Sequence, residues 1–189
     1  MPGLIAHVAA LALALGLGPA GPPPATLAVA PGSTLTFRLV HKLHQVEGVS
    51  RAVEGRARLL PGGAVQVVVR SRVDAFDSGN GNRAAHAREV TEAARFPSVE
   101  LRAVGQVPAV EAYPASVEVA LRGELTFHGK TLPLEIPVTV RFEGPDRATV
   151  EAAFPISLDA YGVERPSLLF VKVDDRLDVQ AHLRLEPAP

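Results

Sequence analysis

From Thr34 onward, apolar residues return at every second position, the period of a strand with one face buried. Leu35, Phe37 and Leu39 alternate with Thr34, Thr36 and Arg38. Val53, Ala57 and Leu59 lead to a Pro61-Gly62-Gly63 turn, and Val65, Val67, Val69 and Val73 then oppose Gln66, Arg70 and Arg72. Val99, Leu101 and Ala103 oppose Glu100 and Arg102. Val117, Val119, Leu121, Leu125 and Phe127 share one face, with Glu118, Arg122, Glu124 and Thr126 on the other. After His128-Gly129-Lys130, Leu132, Leu134, Ile136, Val138, Val140 and Phe142 continue the pattern. Gly144-Pro145-Asp146 turns the chain into Ala148, Val150, Ala152 and Phe154, and Leu177, Val179, Ala181, Leu183 and Leu185 close it. About eight amphipathic strands result. Pro133 and Pro137 fall on the outward face of their strand and remove two ladder donors, which predicts a gap or bulge beside it.

One segment departs from the period of two. Residues 82–95 (NRAAHAREVTEAAR) contain no Gly or Pro, open on Asn82 as a candidate N-cap and stop short of Pro97, so they predict one short helix. Its apolar stripe (Ala87, Val90, Ala94 with Ala93) is narrow, as suits a helix laid over a barrel or its mouth. Hairpin-linked strands favour antiparallel closure over βαβ units, so the fold class is all-β: an antiparallel barrel of about eight strands with one short helix. Such a barrel is either filled by its own side chains or holds one small ligand. Inward residues here are mostly Val, Ala and Leu, which leaves room; a packed β-sandwich core without a cavity is the competing reading.

The chain ahead of these strands is different. No charged side chain precedes Arg38, and residues 4–17 form an apolar run too short for an ordinary membrane span. Gly18-Pro19-Ala20 fits the small-x-small rule for signal cleavage, Ala28-Val29-Ala30 offers a later position, and Gly21-Pro22-Pro23-Pro24 ends any helix. Residues 1–30 are therefore read as a signal peptide and Pro/Gly-rich leader, cleaved near 20 or 30, and residues 31–189 as one barrel domain, periplasmic or secreted. No stable membrane span is expected after cleavage.

Composition narrows the function. With 19 basic and 20 acidic side chains in 189 residues there is no excess of positive charge to attract nucleic acid. Zero cysteines exclude disulfides, a Cys-zinc site, a thiolate nucleophile and a lipidated cysteine anchor. Trp is absent and only two Tyr occur, so no stacking platform for bases or sugars is present.

The most distinctive local pattern is DSGNGNRAAH at 77–86: a tightly wound Gly/Asn loop feeding the helix. Asp77, Arg83 and His86 form a candidate polar cluster, against the plainer reading of a capped helix start. His41 and His44, three apart, would share a helical face and offer a metal site if a third ligand came from elsewhere; the alternative places them as polar residues at the barrel opening. His128 reads as a turn residue and His182 as a solvated one. No G-x-S-x-G elbow occurs, Ser78 beside Asp77 lacks an oxyanion hole, and Glu118, Glu124, Glu135 and Asp178 sit on outward faces, so no enzyme is expected.

Four blocks, in order along the chain, resemble the YceI-like lipid/polyisoprenoid-binding family: TFRLVHKLHQVEG (36–48), the DSGNGNRAAH loop running through EAARFPSVEL (92–101), LRGELTFHGKTLPLEIPV (121–138) and FPISLDAYGVERP (154–166). The resemblance implies an exported, extended lipocalin-like antiparallel barrel that holds a long isoprenoid or similar amphiphile in its lumen, with no cofactor. The family's loop carries Arg-Asp followed two residues later by His; Arg83 and His86 match, and Ala84 stands where the acidic residue is expected.

The expected function is thus non-catalytic: transport, storage or sequestration of a polyisoprenoid-like or other long-chain lipid. The expected lumen wall comprises Phe37, Leu39, Val67, Val69, Leu101, Leu121, Leu125, Phe127, Leu134, Ile136 and Phe154, with Phe76 and Phe96 near the helix. His41, Arg83 and His86 are the candidate head-group contacts. The alternatives are a periplasmic metal- or small-polar-ligand binder using His41/His44, and a structural β-domain with a filled core; a homodimer is compatible with any of them.

Overall fold

A computed structural model of the chain describes residues 25–41, 44–165, 167–168 and 171–189, with backbone alone at 40, 41, 44, 167, 168, 171 and 172. The elements in chain order are β1 (Ala25–Val29), β2 (Thr34–His41), β3 (His44–Ser50), β4 (Val53–Leu59), β5 (Ala64–Arg72), α1 (Gly81–Val90), β6 (Ser98–Gln106), β7 (Ala115–Phe127), β8 (Lys130–Phe142), β9 (Ala148–Ser157), β10 (Ser167–Leu168), β11 (Val171–Lys172) and β12 (Arg176–Pro187). All ladders are antiparallel, and the main sheet runs β1-β4-β5-β6-β7-β8-β9-β12 and back to β1, which closes a barrel of eight strands.

The expected all-β barrel with one short helix is what the chain forms; of the four strands beyond the expected eight, β10 and β11 pair only with each other, and the other two are continuations of their neighbours in the main sheet. β1 and β2 lie end to end along β12, with Val29 opposite Leu185 and Thr34 opposite His182. Four residues (30–33) thus face two (183–184), a bulge that kinks the strand. Ser33 sustains the bulge from within: its Oγ donates to the Ala30 carbonyl at 2.7 Å and accepts from Arg184 N–H at 2.9 Å. β3 and β4 form the second bent strand, with buried Ser50 bonded to Ser71 at 2.8 Å where it kinks. β2 and β3 therefore extend the wall past β1 and β4 at one end, called here the mouth.

The helix needs correcting. It spans Gly81–Val90 rather than 82–95, and its N-cap is Asn80, not Asn82: Asn80 Oδ1 accepts from the Asn82 and Arg83 N–H groups at 3.0 and 3.1 Å. Asp77 holds the preceding loop, accepting the Gly79 N–H at 2.8 Å, and its backbone bridges Val49. The helix ends early because Glu92 takes a left-handed φ of 45°. The plainer reading of the 77–86 motif, a capped helix start, describes these bonds.

The barrel's far end is packed solid by Leu27, Leu59, Val65, Val119, Phe142 and Leu185, with Ile136 at 1% exposure near its centre. A second cluster gathers Leu125 and Phe127 of β7 with Leu158, Tyr161 and Val163, which follow β9. Among the described residues no helix is long and apolar enough to cross a membrane.

Candidate functional site

Between the two clusters the barrel is not filled. A hollow of about 490 Å³ runs from Leu183 and Leu121 toward the mouth, within the range of small-molecule pockets, roughly 300–1,000 Å³. It exists because small side chains coincide on neighbouring strands. Ala181 of β12 lies opposite Ala152 of β9 and Leu35 of β2, and all three line the hollow. A filled-core β-domain is not what the chain builds.

Most of the expected wall surrounds this space. Phe37 and Leu39 enter from β2, Val67 and Val69 from β5, Leu101 from β6. Leu121, Leu125 and Phe127 enter from β7, Ile136 from β8 and Phe154 from β9, while Phe76 packs on Phe37 with ring centroids 5.6 Å apart. Gly48 of β3 lies flat against the Phe37 ring, where any Cβ would collide. Two expected wall residues are elsewhere. Leu134 is half-buried within the apolar clusters rather than lining the hollow. Phe96 packs edge-on against His128 at 4.8 Å, with the Arg95 guanidinium 4.9 Å over its ring, because Pro97 has already redirected the chain along β6. Sequence reasoning missed Ala152, Ala181, Val150, Ile156, Leu177, Val179 and Leu183 as wall residues; the alternation on β9 and β12 pointed to them, but their meeting depends on register.

α1 roofs the mouth. Ala84, Ala87 and Val90 are half-buried on its barrel side, and Arg83, His86 and Arg88 sit at the rim with Ser78 and Glu164. The Arg83 and His86 side chains are exposed, and His86 Nδ1 is 3.7 Å from Glu89. His41 and His44 are not on a helix: they form the last rung of the β2–β3 pair, and their side chains lie outside the described residues. Among the described residues no three His, Asp or Glu side chains gather as a metal site would require.

The other side of the mouth is closed by residues 158–165. Leu158 and Asp159 N–H donate to the Asp175 backbone and side chain at 2.9 and 2.7 Å. The Asp159 N–H, with Ser157 adding to it, holds the Asp175 carboxyl below its ordinary pKa. Arg165 forks onto Asp159 at 2.7 and 2.8 Å. Tyr161 is buried with its hydroxyl donating to the Leu125 carbonyl at 3.2 Å, and desolvation pushes its phenol pKa up. His128 and Gly129 both have positive φ, 49° and 73°, forming the tight two-residue hairpin loop between β7 and β8. The His128 ring is turned inward: Nδ1 donates to the Tyr161 carbonyl at 3.1 Å and Nε2 lies 3.3 Å from Glu92 Oε1. Through Nδ1 this histidine ties the β7–β8 loop to the 158–165 segment, while its buried Nε2 has no hydrogen-bond partner.

A closed eight-stranded antiparallel barrel with an apolar hollow under a short helix defines the lipocalin-like class of β-barrel. Within it, the chain belongs to the YceI-like domain family, whose family model matches residues 28–185. Its backbone is similar to a polyisoprenoid-binding domain from Saccharophagus degradans implicated in plant cell wall breakdown, with TM-score 0.69 and 18% identity over 88% of this chain and 100% of that one. It is also similar to BcnA from Burkholderia cenocepacia (TM-score 0.65, 19% identity, 82% of this chain and 98% of that one). A Campylobacter jejuni YceI protein matches with TM-score 0.58 and 8% identity, covering 79% and 90%. No curated protein matches the chain in sequence.

Proposed function

We propose that this protein is an exported, non-catalytic carrier that holds one long apolar chain, polyisoprenoid-like in character, in the barrel hollow. The observation that carries the reading is the hollow itself: about 490 Å³ lined mainly by aliphatic and aromatic side chains, with its charged groups at the rim. Burying roughly 25 cal/mol per Å² of apolar surface is the driving force such a space offers. A hollow of this size takes a short apolar chain. A longer chain would leave its remainder outside. Arg83 and His86 are placed to meet the polar end. The polyisoprenoid-binding domain that shares this fold supports the same ligand class.

Export rests on the uncharged apolar leader at 4–17. Of the two cleavage positions, the one near residue 20 keeps β1, which completes the ring between β12 and β4; cleavage near residue 30 would remove it. N-terminal sequencing of protein recovered from the periplasm or medium tests this. The carrier reading is tested by extracting natively produced protein with organic solvent and analysing the extract by mass spectrometry. A stoichiometric hydrophobic passenger is expected; an empty extract, together with failure to take up a fluorescent prenyl probe, would overturn it.

A further inference from the structure

The barrel wall has a seam that is not sewn. β8 is hydrogen-bonded to β7 along its whole length, from Lys130 to Phe142. Toward β9 it is paired only at Val138–Phe142, with Ala152–Ala148. From residue 137 back to 131 on β8, and from 153 to 157 on β9, no strand pairs with the facing edges among the described residues. Seven residues on the β8 side and five on the β9 side, at roughly 3.3 Å apiece, make a slit on the order of 15–20 Å long.

Which backbone groups face the slit follows from the register. Glu143 N–H donates to Arg147 O at 3.0 Å, so the odd-numbered residues of β8 and of β9 point their N–H and C=O groups at one another. Continuing that alternation, the slit-facing positions are Thr131, Pro133, Glu135 and Pro137 on one edge and Ala153, Pro155 and Ser157 on the other. Three of these seven are proline. Each lacks the N–H with which the two strands could pair, and the same lack keeps a foreign strand from adding to either edge. The edges themselves are firm, since β7 holds one and β12, paired with Ser157–Phe154 through Arg176–Val179, holds the other.

Inside the slit the seal is made by side chains, and at its mouth end the Tyr161 N–H donates to the Ser157 carbonyl at 3.3 Å. Leu134, Phe154 and Ile156 are half-buried there, and Phe154 and Ile156 also line the hollow. Outside, a second, shallower concavity of about 840 Å³ lies over the last paired rungs, where Ala120, Pro137 and Ala153 give an apolar strip beside the polar Glu118, Thr139, Glu151 and His182. Val138 and Ala152 border both spaces. Opening the slit requires rotamer changes at Phe154 and Leu134 and breaks no ladder hydrogen bond. At the mouth, the alternative route, α1 lies across the opening with the polar Arg83, His86 and Glu164 at its rim.

We infer that the proline-edged slit between β8 and β9 is a lateral portal, through which a slender apolar chain passes sideways between the hollow and the outer groove. The inference rests on the carrier reading and adds the route and a shape rule: unbranched or regularly methylated chains pass, while bulky fused rings do not.

Because the chain has no cysteine, a staple can be placed cleanly. Glu135→Cys and Pro155→Cys would stand opposite each other in the continued register, both at exposed outward positions. Joining them with a short bis-maleimide bars the slit. A control staple joins Arg58→Cys to Gln66→Cys on a fully paired rung of β4 and β5. Protein preloaded with a fluorescent farnesyl-chain probe is then diluted into vesicles of neutral lipid, and probe loss is followed by stopped flow. Barring the slit is expected to slow release about tenfold or more, the control staple to leave it unchanged, and Phe154→Ala without a staple to speed it. Release from the barred protein within about twofold of the unbarred form would overturn the portal while leaving the carrier reading intact. Failure of the wild-type protein to take up the probe at all would overturn the carrier reading, and the portal with it.

Discussion

Replacing Ala181 with Phe asks whether the hollow is where the ligand sits. Ala181 points inward from β12, opposite Ala152 and Leu35, where three strands contribute small or flexible side chains to the empty volume. The substitution adds six carbons beyond Cβ. Displacing as many ligand carbons back into water forfeits about 0.8 kcal/mol each, about 5 kcal/mol if the ligand cannot shift and about half that if it slides toward the mouth. The expected loss of affinity is therefore roughly 50- to 5,000-fold. The same change in a filled core would destabilise by about 1–3 kcal/mol through overpacking. Here the ring enters empty space and gains contacts, so the melting temperature is expected to hold or rise. Fluorescence titration with a prenyl probe and thermal unfolding of the ligand-free protein read the two effects separately. Unchanged affinity in a folded variant would refute binding in the hollow; a melting point lowered by several degrees would refute the empty volume. Ala152→Phe should act alike, and the double variant should fall well short of additivity because both rings claim one space.

Other consequences of the geometry are simpler to check. A Cβ at Gly123 of β7 would press on the Arg102 carbonyl and on Ala103 Cβ of β6, so Gly123→Ala should destabilise by about 1–3 kcal/mol, seen as a lowered denaturant midpoint with unchanged slope. Asp175 has a folded pKa below its ordinary value, so the stability it contributes is present above that ordinary value, about 3.9, and is lost as pH falls through the folded pKa. Melting curves between about pH 5 and pH 2 should therefore fall more steeply for wild type than for Asp175→Asn; equal slopes would refute the assignment. Arg83→Ala should weaken a prenyl probe with an anionic end-group by about tenfold, the scale of one charge-assisted hydrogen bond, and leave a headless hydrocarbon unaffected in the same titration.

How much of this was legible in the chain depends on whether a feature is local or relational. Alternation on β7, β8 and β12 is local, each strand carrying its own two-residue period, and it specified both the fold class and most of the wall. β1 went unread because Ala25–Val29 follows an apolar, proline-rich leader and shows no clear alternation, and β3 because Gly48 stands where an inward side chain would be, against Phe37. The spacing of His41 and His44 is equally a helical turn and a hairpin rung, so period alone could not choose between them. The helix end needed knowledge of the backbone at Glu92, whose left-handed φ no residue type there announces. Hollow and slit are relational. Ala152 and Ala181 are ordinary strand residues until register sets them opposite each other. Pro133 and Pro137 signalled a gap from one strand alone, but Pro155 acquired its meaning only from the register, which turns all three toward the same seam. A proline facing a bonded neighbour would remove a ladder hydrogen bond worth about 0.5–1.5 kcal/mol. At each of these three positions no ladder bond is lost, so proline carries little penalty where it keeps the wall divided.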